Sequence, residues 1–435
     1  MLEALSSAGQ EHLLRHLDAL SPVQAEAFSR ELRSVDWPRA ASMHREAGPH
    51  AVASAALSGI RPARARIPGA REKSSLRGRG MELLAQGKAG FVLMAGGQGS
   101  RLGYEGPKGA CPIGLPDGVV LFEILVRRLF RLGELCGKLP PFSVMTGPDN
   151  HEATAGWFRD RRPALPSGWP KLFLQSSAPA LDDAGRALLA APGRLALVPD
   201  GNGGIWERLE ASGVLDSWAD TGVEWIHVAG VDNVLSLPCD PTFLGFAEAA
   251  GSPLSCKTVL RTDPAEKVGV YARDDQGRPR VAEYTELPSS TAAALDVDGL
   301  PVHREANIAS HLVRIDLARK FAKQPLPWHL ARKKIPHVHP ETGADLSGEQ
   351  GCKYERFLFD AFPSAEGMSL LRVERADEFA PVKNAEGADS PATARTALEN
   401  LHRRWRSAWG REGSEWIDPS ESYDGEPPTG RPSRS

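Results

Sequence analysis

Phe91-Val-Leu-Met-Ala-Gly-Gly-Gln-Gly-Ser-Arg-Leu-Gly-Tyr-Glu-Gly-Pro-Lys108 decides how this chain is read. Phe91 to Ala95 is an apolar run of strand length, too short for a helix. Gly96, Gly97 and Gly99 follow as a turn in which no Cβ keeps a ligand from the backbone. Successive N–H groups in such a turn form an anion-binding concavity. Arg101 and Lys108 come close behind, and a glycine-rich turn backed by two cations suits a polyphosphate. Two better-known phosphate loops do not fit. The P-loop ends in Gly-Lys-Ser/Thr, which is missing here, and the dinucleotide pattern G-x-G-x-x-G needs glycine where Leu102 stands.

The rest of the composition narrows the field. With 435 residues, 41% hydrophobic and 25% charged, the chain reads as a globular protein of one large domain with attachments, or of two or three domains. A net charge of −3 supplies no general basic field for nucleic acid or an anionic membrane, so a phosphate ligand has to be held by local Arg, Lys and N–H groups. The five cysteines (Cys111, Cys136, Cys239, Cys256 and Cys352) are odd in number and include no C-x-x-C pair. That argues for a reducing compartment and against a zinc site. The start, Met1-Leu-Glu-Ala-Leu-Ser, lacks the basic and apolar regions of a signal peptide, and no apolar run approaches membrane-spanning length. The expected location is the cytoplasm, without a nucleic-acid or membrane partner.

Before the turn, residues 1 to about 35 predict two helices, the second starting at Ser21-Pro22-Val-Gln24 with Ser as N-cap, Pro at N1 and Gln at N3. Residues 38–80, rich in Ala, Arg, Pro, Ser and Gly, read as an irregular connector, and Met81–Gln86 as a short helix closed by Gly87. From 91 to about 320 apolar runs alternate with helical stretches. Strands are expected at 91–95, 141–145, 171–175, 194–198, 224–231, 254–261, 267–272, 280–285 and 307–315. Helices are expected at 121–136, 151–158, 182–190, 204–215 and 241–250. The alternation predicts an α/β fold with a mainly parallel sheet and helices on both faces; Asp274-Asp-Gln-Gly277 marks a local antiparallel insertion. Ligands of such sheets lie beyond the carboxyl ends of the strands. Further on come a basic stretch (Ala331–Ile335), an aromatic helix (Tyr354–Phe362), a helix at about 391–408 and a polar, Pro-rich end.

Other stretches carry candidate chemistry. Pro199-Asp-Gly-Asn-Gly-Gly204 is a second glycine-dense turn after an apolar run; its N–H groups could read a base edge and Asn202 a sugar hydroxyl, although the composition also suits a plain turn. Asp232 ends the apolar run from Trp225. A carboxylate there needs a partner. Mg²⁺ shared with phosphate oxygens would serve, and so would a turn or helix-cap role. Glu283-Tyr284 and Asn307 stand at strand ends and offer hydrogen bonds to hydroxyls. Lys383 follows the acidic run Glu374–Glu378 and could equally be an ordinary surface lysine. His151 and His311 have no metal-ligand spacing; His311 reads as a core histidine.

Taken together, these stretches resemble the eukaryotic-type UDP-N-acetylhexosamine pyrophosphorylases, within the UDP-sugar (UTP:sugar-1-phosphate) uridylyltransferase family. The resemblance rests on Met94-Ala-Gly-Gly-Gln-Gly-Ser-Arg-Leu-Gly103, Pro107-Lys-Gly109, Gly201-Asn-Gly-Gly204, Val231-Asp-Asn233, Val281-Ala-Glu-Tyr284, Ala306-Asn-Ile308, Lys333-Lys-Ile-Pro336, Asp377–Asn384 and Pro391-Ala-Thr-Ala-Arg395, in that order. It implies a Rossmann-like, GT-A-like nucleotidyltransferase fold with a mixed sheet and flanking helices. The implied spans are an N-terminal helical segment and connector (1–88), a catalytic domain (89–380), a shortened C-terminal region (381–426) and a disordered tail (427–435). Met94, Ala95, Gly96, Gly97, Lys108, Gln175, Gly201, Asp232 and Lys353 are implied UTP contacts, with Gln175 and Gly201 facing the uracil. Asn202, Glu283, Tyr284, Asn307 and Lys383 are implied contacts of the sugar phosphate, and Asp232 the ligand of Mg²⁺. Arg101, Lys108 and Lys383 carry the implied catalysis. Ser100, Gly106, Cys111 and Ala306 depart from the eukaryotic pattern.

The implied reaction joins UTP to a sugar 1-phosphate, N-acetylglucosamine 1-phosphate first, and releases pyrophosphate. Glucose or galactose 1-phosphate is the alternative sugar, and a silent nucleotide-sugar sensor the alternative of another class. A dinucleotide-dependent oxidoreductase is disfavoured by Leu102 and the cations behind the turn.

Overall fold

The computed structural model describes residues 1–47, 59–161, 165–413 and 416–427. The chain forms two compact units, each assembled from three stretches. One holds Leu57–Leu174, Trp206–Lys323 and Phe362–Ser435; the other holds Met1–Ala56, Gln175–Ile205 and Gln324–Ala361. All but one residue of the tail expected at 427–435, and residues 48–58 of the expected connector, lie outside the described residues.

The first unit is built on a ten-stranded mixed sheet. Its parallel half runs Trp225–Gly230, Ala89–Ala95, Phe142–Thr146, Lys171–Leu174, in the order of their pairing. The first three are short, apolar and mostly buried, as strands covered on both faces must be, and Lys171–Leu174 is the more exposed edge strand. The register pairs Met94 with both Met145 and Gly230, so the strands end at a common level. The other half departs from the expected parallel arrangement. Glu305–Arg314 runs antiparallel to Trp225–Gly230 on one side and to Leu254–Leu260 on the other. The hairpin of Val270–Arg273 and Pro279–Ala282 confirms the antiparallel insertion, turned by Asp274, whose carboxylate accepts from the Gln276 and Arg278 N–H groups.

Helices Leu121–Cys136 and Pro241–Ala250 match the expected bounds. The helix Ala70–Ala85 does not: it replaces the last part of the expected connector and absorbs nearly all of the short helix at 81–86. Gly80 in this helix and Gly245 in Pro241–Ala250 explain it. A Cβ at Gly80 would overlap the Pro241 carbonyl, and one at Gly245 the Leu76 carbonyl. The glycines let two helix backbones meet instead of breaking a helix. Ile417–Glu426 is part of the same unit. Tyr423 is fully buried and donates to the Pro238 carbonyl at 2.8 Å, and Arg77 binds Asp424 through two bonds of 2.8 and 3.0 Å.

The second unit begins with three helices where two were expected, Leu2–Ser7, Glu11–Asp18 and Pro22–Ser34, and a fourth, Trp37–Ala47, takes up the start of the expected connector. The capping box of Ser21 and Gln24 is present. Leu5, Leu13, Phe28, Leu32 and Trp37 share a core with Leu181, Leu189, Leu195, Cys352 and Tyr354. The helix expected at 182–190 is absent. Asp182 accepts from the Ala184 and Arg186 N–H groups, which fold the chain into a turn, and Gly185 at φ +81° completes it. The Gln10 side chain then takes up the Gly185 carbonyl and the Ala187 N–H, each at 2.8 Å. The expected aromatic helix at 354–362 is instead the end of strand Gln350–Glu355, paired antiparallel with His329–Lys334, followed by the 3₁₀ turn Leu358–Ser364. The expected helix 204–215 divides into Ile205–Ala211 and Val214–Asp220 around Gly213 at φ +69°.

The helix contact at Gly80 gives a paired test. Gly80→Val is expected to cost about 3 kcal/mol or more through overpacking. Gly78→Ala, whose added Cβ meets nothing within 4 Å, is expected to gain up to about 1 kcal/mol. Chemical denaturation of the two variants checks both signs.

Candidate active site

In the first unit the turn after Ala89–Ala95 closes on itself. Gly99 N–H donates to the Gly106 carbonyl at 2.9 Å, and Lys108 N–H to the Gly97 carbonyl at 3.2 Å. Asn150, 1% exposed, braces the turn from below. Its Nδ2 donates to the carbonyls of Ala95 and Gly97 at 2.9 and 3.0 Å, and its Oδ1 accepts from Gly147 N–H at 2.8 Å. Gly147 makes room: a Cβ there would stand 2.5 Å from the Gly96 carbonyl. The Ala95 and Gly97 carbonyls are thereby tied inward. Asn150 was not foreseen; its only sequence signal is its place before the helix His151–Asp160 at the end of an apolar run.

Met94 and Ala95 lie at the end of the strand, Gly96 and Gly97 lead the turn, and Gly97 and Arg101 are exposed. Lys108 and Asp232 meet, Nζ to carboxylate at 3.6 Å, both side chains partly exposed at 18% and 30%. The partner that a carboxylate at the end of Trp225–Gly230 requires is therefore in part a lysine from the turn of the neighbouring parallel strand. A hydrogen bond of 3.1 Å from Val231 N–H to the Met94 carbonyl extends the pairing to this level. The Val382 N–H donates to the Asp232 carbonyl at 2.8 Å and brings Lys383 alongside. Lys383, 41% exposed, lies 3.9 Å from the Asp389 carboxylate and 5.9 Å from the Phe379 ring centroid.

Glu283 and Asn307 come together on Gly269. The Asn307 N–H donates to the Gly269 carbonyl at 2.8 Å, and a Cβ on Gly269 would press on the Glu283 carboxylate at 2.8 Å. Tyr284 beside them is 45% exposed. The Asn307 Oδ1 accepts from the Tyr271 hydroxyl at 3.0 Å and from Ala309 N–H at 2.9 Å. The backbone donor fixes which end of the amide is oxygen, so Asn307 has its Nδ2 donors for a ligand. His311, also next to the Tyr271 hydroxyl, is fully buried, and burial pulls its pKa down to about 3, as suits the core role expected of it.

The remaining candidates belong to the second unit. The Gln175 amide donates to the Gly201 carbonyl. Gly201, at φ +82°, lies so close to Arg356 that a Cβ would overlap the Arg356 carbonyl. Asp200 next to it is ion-paired with Arg356, both side chains nearly inaccessible. The Asn202 Oδ1 accepts from Leu358 N–H at 3.0 Å, so its Nδ2 is the group left to donate. This turn is held by specific bonds, more than a plain glycine-rich turn requires. Lys353 pairs with Glu355 at 2.6 Å on the strand face they share.

Residues 66–392 match the family described as UTP–glucose-1-phosphate uridylyltransferase. The chain is 34% identical over 440 residues to UDP-N-acetylglucosamine diphosphorylase 2 of Arabidopsis thaliana, covering 94% of this chain and 85% of that protein. It is 34% identical over 458 residues to UDP-N-acetylhexosamine pyrophosphorylase-like protein 1 of Homo sapiens, covering 98% and 89%. Among solved structures it is similar to the uridine diphosphate N-acetylglucosamine pyrophosphorylase of Trypanosoma brucei, with TM-score 0.84, 26% identity and coverage of 98% and 92%. The mixed sheet and its neighbours define an α/β nucleotidyltransferase fold, as the resemblance implied. The chain belongs to the UTP–glucose-1-phosphate uridylyltransferase family, a family of enzymes.

The buried histidines near these residues set a pH dependence. Burial lowers His227 well below its ordinary pKa and His311 to about 3. The unfolded chain therefore takes up protons that the folded chain refuses. The stability these groups contribute is complete above the unfolded pKa of about 6.5 and falls as pH drops toward 3. Each histidine is expected to add about 1.4 kcal/mol per pH unit to the slope. Denaturation at a series of pH values below neutrality should show His311→Gln with a slope shallower by about one proton.

Proposed function

We propose that this chain makes UDP-N-acetylglucosamine and pyrophosphate from UTP and N-acetylglucosamine 1-phosphate. The observation that carries the reading is the meeting of Lys108, Asp232 and the Lys383 segment at the carboxyl ends of adjacent parallel strands, beside a glycine-rich turn where Asn150 ties away the Ala95 and Gly97 carbonyls. The names of the relatives at 34% identity over nearly the whole chain support the N-acetylated sugar. The five cysteines are all free thiols, which supports a reducing, cytoplasmic setting.

In the proposed reaction an oxygen of the sugar phosphate attacks the α-phosphorus of UTP in line. The new P–O bond forms as the bond to the β-phosphate bridging oxygen breaks, and pyrophosphate leaves. Transfer of this kind depends on positioning and charge stabilisation more than on a protein nucleophile. Met94, Ala95, Gly96, Gly97, Arg101 and Lys108 hold the triphosphate, and Gln175 and Gly201 the uracil. Asn202, Glu283, Tyr284 and Asn307 hold the sugar, Asn307 as a donor. Lys383 neutralises the sugar phosphate, with Lys353 as a further phosphate contact once it parts from Glu355.

Asp232 would hold Mg²⁺. Among the described residues no group of three or more His, Cys, Asp or Glu forms a cage. A single partly exposed carboxylate fits an ion that takes most of its oxygen ligands from substrate phosphates and water. When bound, the ion would supply charge neutralisation across the phosphate oxygens.

The test is pyrophosphate release from UTP with Mg²⁺ and a panel of sugar 1-phosphates. Release with N-acetylglucosamine 1-phosphate is expected. Release only with glucose 1-phosphate, the sugar in the family's description, or galactose 1-phosphate would move the substrate and leave the mechanism. Tight UTP binding without release would favour a sensor. Lys108→Ala and Lys383→Ala are each expected to cut turnover about a hundredfold with the fold retained, the scale of losing one preorganised charge contact. Near-normal turnover in either variant would remove that residue from the mechanism.

A further inference from the structure

Lys383 stands in a stretch with little structure of its own. After the short helix Arg375–Glu378 the chain runs irregularly through Phe379, Ala380 and Pro381 to Val382. What holds it is the residue after Asp232. Asn233, 8% exposed, faces Pro381 in an antiparallel bridge. The Asn233 side chain reaches past this pair to the backbone on the near side of Pro381. Its Nδ2 donates to the Glu378 carbonyl at 2.7 Å, and its Oδ1 accepts from Ala380 N–H at 3.0 Å and from Leu235 N–H at 3.2 Å. Backbone bonds complete the seam, Val234 N–H to the Ala380 carbonyl at 3.3 Å and Val382 N–H to the Asp232 carbonyl at 2.8 Å.

A second anchor fixes the near end of the stretch. The Glu378 carboxylate pairs with Lys257, whose Nζ also meets Asp240 at 2.6 Å. The three side chains are 14%, 1% and 5% exposed. The Lys257 ammonium is thus deep in the sheet, on strand Leu254–Leu260, and ties the loop to a rigid element. Neither Asn233 nor Lys257 reaches the exposed part of the site. Both act on the backbone that carries Lys383.

We propose that Asn233 is a positioning residue for the transfer reaction: by bonding the Glu378 carbonyl and the Ala380 N–H, it holds the backbone that carries Lys383 at its distance from Asp232. This rests on the reading of Lys383 as the sugar-phosphate contact. It predicts that Asn233 acts on the reaction through Lys383 and not through UTP.

The test is a double-mutant cycle of Asn233→Ala and Lys383→Ala, with kcat and KM for each substrate, UTP affinity by calorimetry, and thermal unfolding. Asn233→Ala alone is expected to lower kcat about tenfold or more and raise KM for the sugar phosphate, with UTP affinity within about threefold of the parent; with Lys383 already removed it is expected to cost less than about twofold. An equal loss in both backgrounds would show that Asn233 acts independently of Lys383 and overturn the proposal while leaving the functional reading in place. Full turnover in Lys383→Ala alone would overturn the role of Lys383 and the proposal with it. If Asn233→Ala fails to fold, the cycle is run with Asn233→Ser, which keeps a hydroxyl but lacks the reach to bond Glu378 and Ala380 together.

Discussion

Two carbonyl oxygens at the end of one buried strand constrain the rest. Ala95 ends the central strand and Gly97 comes just past it, and their carbonyls have to be satisfied there. A single buried amide, that of Asn150, bonds both, and the Lys108 N–H adds a second bond to Gly97. Because the oxygens point inward to Asn150, the glycine-rich turn is committed to one conformation, and Lys108 returns to the Gly97 carbonyl at the level of Asp232. An oxygen facing outward in this turn would repel a phosphate. The arrangement therefore links a requirement of folding, that buried polar groups be paired, to the electrostatics of the surface that the turn presents.

The same logic recurs elsewhere. Asn202 spends its oxygen on Leu358, Asn307 on Ala309 and Tyr271, and Asn233 on Ala380 and Leu235. In each case a backbone N–H takes the acceptor and leaves the amide nitrogen. For Asn202 and Asn307 that nitrogen is what a sugar would meet; for Asn233 it closes onto the Glu378 carbonyl. One residue type, held the same way, leaves two amide nitrogens open to a ligand in the proposed site and makes one brace.

Much of this was legible in the sequence, and the exceptions have a common cause. The helices Leu121–Cys136 and Pro241–Ala250, the capping box at Ser21 and the strand before the turn follow from local pattern, and they stand where expected. The helix Ala70–Ala85 was hidden because Gly78 and Gly80 lower helix propensity, and the contact that justifies Gly80 comes from Pro241, far along the chain. The helix expected at 182–190 lost to the Asp182 turn and to Gln10. Alternation of strand and helix predicts a mainly parallel sheet and says nothing about Glu305–Arg314, whose direction is settled by two partners remote in sequence. In the site, Arg101, Lys108 and Asp232 announced themselves by following strands. Asn150 and Asn233 did not, since their work is to bond carbonyls that only the fold brings near.

The interleaving of the two units has a consequence for synthesis. Leu5, Leu13 and Phe28 leave the ribosome first, yet the core they join includes Leu181, Leu195, Cys352 and Tyr354. Most of the chain is made before that core can close. Through that interval the four N-terminal helices can pack only on one another, and the apolar surface that the later segments cover stays open, a condition in which nascent chains recruit chaperones or aggregate. A contiguous fragment ending anywhere before Tyr354 carries the same defect permanently, so neither unit can be cut out as a simple truncation. The order in which residues are made, as much as the contacts they finally form, is thus a property written into this topology.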